Sequence, residues 1–163
     1  MAADLETLKG LMLRAQEAKE ADRALDEAIM AAFYVRDSRH IGARDYYTDE
    51  RLKDDVWVDP RTDRFVTNQA FRFTEEAGAV ERLISFLPGG YQISTTTPDP
   101  TRGGLAGRAW AKISPWVGND AGWRVGSRDC SAPTVPLALT AVALMLHVSA
   151  LIAQAEQGAP HGE

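Results

Sequence analysis

The chain has 163 residues, 45% hydrophobic and 25% charged, the ordinary balance of one globular domain with a core of its own. Its net charge is −5, with acids interleaved among bases, which argues against non-specific nucleic-acid binding and against a basic membrane-surface patch. The single cysteine, Cys130, excludes an internal disulfide and fits a reducing compartment.

The opening Met1-Ala-Ala-Asp-Leu-Glu has no basic segment and no apolar run behind it, so a cytoplasmic protein without a secretory signal is expected. Asp4 to about Ala15 predicts a helix, capped by Asp4, with Leu5, Leu8, Leu11 and Met12 on one face. The apolar stripe loses phase between Glu20 and Arg23 and resumes at Leu25, Ile29 and Phe33, which predicts two helices rather than one. The intervening charges read as a solvated face.

Residues 37–68 then form a polar excursion dotted with Tyr46, Tyr47 and Trp57. Within it only Val56-Trp57-Val58 suggests a short strand, stopped by the Asp59-Pro60 turn signal. Long surface excursions of this kind are usually functional or mobile. A helix from Glu75 to Leu87 follows, with Thr74 as its expected N-cap and Ala79, Leu83, Ile84 and Leu87 on one face. Pro88-Gly89-Gly90 ends it. Three short strands come next, at Tyr91–Thr97, Gly107–Ser114 and Gly122–Arg128, each bounded by turn residues as in an antiparallel meander.

The last element is a charge-free apolar run from Pro136 to Ala153, with Thr134 as N-cap and Pro136 in the first turn. Wound as a helix, it is apolar all round except for a thin stripe of Thr140, His147 and Gln154. About 18 residues is the lower edge of what a bilayer needs. The central His147, the alanine content and the lack of Lys or Arg beyond it favour a buried core helix instead. Its apolar arc is wider than one small sheet covers, so a homo-oligomer is expected unless the first helix covers it within the chain.

The elements together predict an α+β fold: an antiparallel three- to four-stranded sheet packed with helices, sandwich-like in α-β-α fashion, around a long buried C-terminal helix. One domain, 1–163, divides into a helical segment 4–35, the excursion 37–68 and a sandwich core 70–157.

No constellation amounts to a catalytic set. Arg102-Gly-Gly-Leu-Ala-Gly107-Arg108 has backbone amides that could cradle a phosphate, but it joins two strands where a phosphate loop joins strand to helix, so a flexible hairpin is favoured. His40, His147 and His161 are scattered, and Glu50, Asp54, Asp55 and Asp59 lack calcium-loop spacing, so no metal and no cofactor is expected. Cys130 paired with His147 would be a nucleophile and base; a buried structural thiol is the better reading. Trp110, Trp116 and Trp123, alternating with Arg108, Lys112 and Arg124, either anchor a partner on an open sheet face or lie under helices; both readings stand. The expected binding residues are therefore Tyr46, Tyr47, Trp57, Arg102, Arg108, Trp110 and Trp123.

Several stretches carry a family resemblance. Leu8 to Leu13 with Asp22-Arg-Ala-Leu25-Asp26-Glu-Ala-Ile29, then Phe73-Thr74 with Ala77 to Leu87 and Pro88-Gly-Gly-Tyr91, and finally Ala132-Pro-Thr-Val-Pro-Leu-Ala-Leu-Thr-Ala-Val-Ala-Leu, resemble the phage ABA-sandwich family, small proteins of phages and prophages of Gram-negative bacteria. The likeness covers most of the chain except residues 37–68, which look like an insertion. It implies a phage context and no activity. The leading expectation is a non-enzymatic accessory protein that binds a host or phage protein, one form being interference with host defence; nucleic acid and membrane are not expected partners. The alternative is a nucleotide-type small-ligand binder using the 102–108 loop.

Overall fold

Helix α1 (Leu5–Glu17) starts where the Asp4 carboxylate accepts a hydrogen bond from the Thr7 amide at 2.7 Å. It buries Leu8, Leu11 and Ala15. The expected break follows, and α2 (Arg23–Phe33) starts on Asp22, which accepts from the Leu25 amide at 3.0 Å. The computed structural model describes residues 3–98, 107–115 and 126–158.

The excursion is a sheet. Strands β1 (Val35–Arg44), β2 (Arg51–Asp59) and β3 (Arg64–Thr67) form an antiparallel meander in that order, where only Val56–Val58 was expected to be extended. Near its root the sheet is half core, with Val56, Trp57 and Val58 buried. Beyond Val56 the β1–β2 hairpin is almost wholly exposed, which is why apolar alternation is absent there. Charges hold it instead: Arg39 of β1 bonds Asp37 at 2.8 Å and reaches Asp63 beyond β2.

Helix α3 (Ala77–Ile84) is shorter than expected, and Thr74 does not cap it; position N-cap belongs to Glu76, which makes no side-chain cap bond. Thr74 is buried and turned to α2. Its amide donates to the Asp26 carboxylate at 2.9 Å, and its hydroxyl oxygen accepts from the Asp22 amide at 2.9 Å. A tertiary partner has outcompeted the local one. Burial raises the Asp26 carboxyl above its ordinary pKa despite that bond.

Strands β4 (Tyr91–Thr96), β5 (Ala109–Pro115) and β6 (Arg128–Ala132) make a second antiparallel sheet. The third strand therefore lies after the expected Gly122–Arg128, most of which is outside the described residues; Ile113 pairs with Arg128 and Ala109 with Ala132. Ala109, Ala111 and Ile113 are buried and alternate with half-buried Trp110, Lys112 and Ser114. The fold is α+β as expected, with two three-stranded sheets in place of one.

Helix α4 (Val135–Gly158) opens with Thr134 Oγ1 accepting from the Leu137 amide at 3.4 Å. It packs against β5 and β6 and against α1 and α3. Leu137, Val142, Leu144 and Leu146 are fully buried by these neighbours. The helix is long and apolar enough to cross a membrane, yet most of it is buried within the chain. The chain's own elements thus cover most of the apolar arc that suggested an oligomer, while Met145 and Leu151 are half-buried and Ile152 is exposed.

Candidate functional site

The hairpin ends in a built turn. Asp45 Oδ1 accepts from the amides of Tyr47 at 2.9 Å and Thr48 at 2.8 Å, which holds its carboxyl below the ordinary range. Asp49 takes a positive φ of 54° and its carboxylate meets Arg44 Nη1 at 2.8 Å. On this turn Tyr46 and Tyr47 are 93% and 92% exposed, their rings edge to face at 5.3 Å. Two aromatic rings thus stand together, almost wholly exposed, at the far end of the hairpin.

Trp57, expected beside the tyrosines, is at the root and only 7% exposed. The Arg36 guanidinium lies over its ring at 5.0 Å. With Arg23, Arg36, Asn68 and Gln69 it lines an open hollow of about 420 Å³. Its Nε1–H is buried and has no partner among the described residues. Trp57→Phe, which deletes that orphan donor, should cost less than about 1 kcal/mol, because an unpaired buried donor is itself worth 1–3 kcal/mol of penalty. Urea unfolding checks this, and a loss above about 2 kcal/mol would mean that the indole N–H is satisfied in solution.

The remaining expected residues separate. Arg102 and Trp123, like Trp116, lie outside the described residues. Arg108 donates to the Ser131 carbonyl at 2.9 Å, and the Trp110 indole donates to the Asp129 carboxylate at 3.2 Å. The Trp110 indole N–H is thus spent within the β5–β6 pair, whereas Arg108 is exposed and places one of its five N–H donors on β6. Cys130 on β6 is half-buried, and burial pushes its thiol above the ordinary value, the reverse of what a nucleophile needs. Among the described residues no three His, Cys, Asp or Glu side chains are grouped to hold a metal ion.

The root is an aromatic belt. Phe33 meets Phe86 at 5.3 Å and His147 at 4.6 Å, and Tyr34 meets Phe86 at 5.2 Å. Arg61, in the β2–β3 loop, stacks on Phe86 at 3.7 Å, donates to the Ser85 carbonyl at 2.7 Å and pairs with Asp59 at 2.7 Å. These contacts fix the first sheet to the end of α3. The polar stripe of α4 serves the same flank: Thr140 Oγ1 donates to the Phe73 carbonyl at 2.7 Å, and His147 Nε2 to the Leu83 carbonyl at 2.8 Å. Leu83 lies in the last turn of α3, and its carbonyl also accepts from the Phe86 amide at 3.2 Å. His147 was readable as the polar edge of a core helix, but its bond to Leu83 was not.

Compared with family models, with curated proteins and with solved structures, the chain matches none.

Proposed function

We propose that the protein is a non-enzymatic interaction module that engages a macromolecular partner through the tip of its β1–β2 hairpin. The observation that carries this is the exposed, edge-to-face pair Tyr46 and Tyr47 on a turn fixed by Asp45, Asp49 and Arg44. Aromatic side chains in a polar surround supply most of the energy in protein interfaces, and a preformed turn loses little entropy on docking. The mixed charge of the hairpin suits a protein partner better than a nucleic acid.

A phage or prophage accessory role in the host cytoplasm, acting on a host or phage protein, is the reading that the resemblance adds. Interference with a host defence system is one form of it. A second copy of this chain is also an admissible partner for the tip. The nucleotide reading draws nothing from the Trp110 indole N–H, which is spent on Asp129.

The double variant Tyr46→Ala/Tyr47→Ala should melt like the native chain, within about 0.5 kcal/mol, since both rings touch mainly solvent. A tagged native chain should capture a partner from infected host cells, and the double variant should lose it by at least about 30-fold, the loss expected when a hot spot is truncated. Light scattering of both proteins tells whether that partner is a second copy. Unchanged capture by the double variant, or a core-like drop in its melting temperature, would remove the tip as the binding surface.

A further inference from the structure

A cavity of about 370 Å³ opens where α1, α2, the β2–β3 loop, the end of α3 and α4 meet. Its wall is apolar, made by Leu8, Ala32, Phe33, Phe86, Ala150 and Leu151. This is well above the volume of about 150 Å³ that accepts a benzene ring. Arg61 and Gln154 stand at its edge.

Two polar groups set its chemistry. The Arg61 guanidinium is spent on Asp59, on the Ser85 carbonyl and on the Phe86 face, so the edge offers no uncompensated charge. His147 lines the cavity and is 7% exposed. Its Nε2 donates to the Leu83 carbonyl, and burial keeps the ring neutral at ordinary pH. Nδ1 is then an unprotonated acceptor with no partner among the described residues. Nδ1 is the one acceptor that the ring has left, and a ligand O–H or N–H can take the place of water there. A ligand charge would find no compensation in this wall.

We propose that this cavity binds a neutral, mainly apolar molecule of about ten non-hydrogen atoms with one hydrogen-bond donor, a phenol, an indole or a medium-chain alcohol, whose donor is received by His147 Nδ1. The site is independent of the hairpin tip and stands or falls apart from it.

Calorimetric titration of the full chain tests this with three probes of one shape: 4-ethylphenol, ethylbenzene and 4-ethylbenzoate. 4-Ethylphenol should bind saturably at one site and raise the melting temperature. Ethylbenzene should bind at least about 10-fold more weakly, because Nδ1 stays unpaired, and 4-ethylbenzoate should not bind in the same range. The ¹⁵N resonance of His147 Nδ1 should shift on adding 4-ethylphenol and stay in place with ethylbenzene. Ala150→Phe, which fills the space, should abolish binding. Gln154→Trp, at an exposed position on the edge, should weaken it without touching the core, and it carries the test if the first variant misfolds. Absence of saturable 4-ethylphenol binding, equal affinity for ethylbenzene, or full binding by Gln154→Trp would overturn the proposal.

Discussion

Leu144→Asp should leave no folded protein at room temperature. Leu144 is fully buried in the middle of α4, the helix on which α1, α3, β5 and β6 all pack. The substitution removes a filled volume and puts a carboxylate where nothing in the wall can pair with it. Such changes exceed about 4–5 kcal/mol, a large share of the 5–15 kcal/mol that holds a domain together. Leu144→Ala gives the graded control: a cavity without a charge, costing about 2–5 kcal/mol and leaving a cooperative transition at lower temperature. Circular dichroism melts of both variants decide it. A cooperative melt of Leu144→Asp at the native temperature would mean that α4 is not the core. The same experiment separates a core helix from a lipid-facing one, since only the former loses the rest of the fold with it.

The parts legible in the sequence are those governed by local chemistry. Asp4 and Asp22 cap helices because their carboxylates reach amides three residues on, and the phase break at Glu20 to Arg23 marks a true gap between α1 and α2. The charge-free run gave away α4, and its thin Thr140 and His147 stripe foretold polar contacts along one edge. What stayed hidden depends on distant partners. Alternation betrays a strand only when one face is buried, and among the described side chains of β1 and the outer half of β2 none is buried. The register of β1 rests on the backbone ladder, and the charge pairs beside it, such as Arg39 with Asp37 and Asp63, read in the sequence as loop. Thr74 has the chemistry of a cap, yet its partners are Asp22 and Asp26, some fifty residues earlier. Within the excursion, Tyr46, Tyr47 and Trp57 looked alike. Only the hairpin's length sorts them, placing the tyrosines at the tip and the tryptophan under Arg36 at the root. The cavity is assembled from five separate segments, and no stretch of chain announces it.

Acidification from pH 7.5 to 4 should remove about 3 kcal/mol of stability through His147 alone. In the folded chain its pKa is lowered from the ordinary 6.5 to about 4, chiefly by burial, with the bond to the Leu83 carbonyl opposing. Between these values the unfolded chain holds a proton that the folded chain refuses, so stability falls as pH drops through the window and levels off below it. Asp26 acts the other way. Burial raises its folded pKa, so protonation favours the folded state as pH falls toward 3.8 and offsets the low end of the decline. The Asp4, Asp37 and Asp45 carboxyls, lowered by hydrogen bonds, lose their contribution only below 3.8, outside the window. Arg61 and Asp59, the charged pair beside the His147 cavity, keep their charges throughout it, because Arg61 holds the Asp59 carboxyl below its ordinary range. Urea unfolding at steps between pH 7.5 and 4 measures the slope. His147→Gln, which cannot titrate and can still donate an amide hydrogen toward Leu83, should flatten it while keeping a cooperative transition. A native chain as stable at pH 4 as at pH 7.5, or a variant with the same decline, would show that His147 takes up its proton inside the fold at no cost, with Nε2 and Nδ1 both reachable by water.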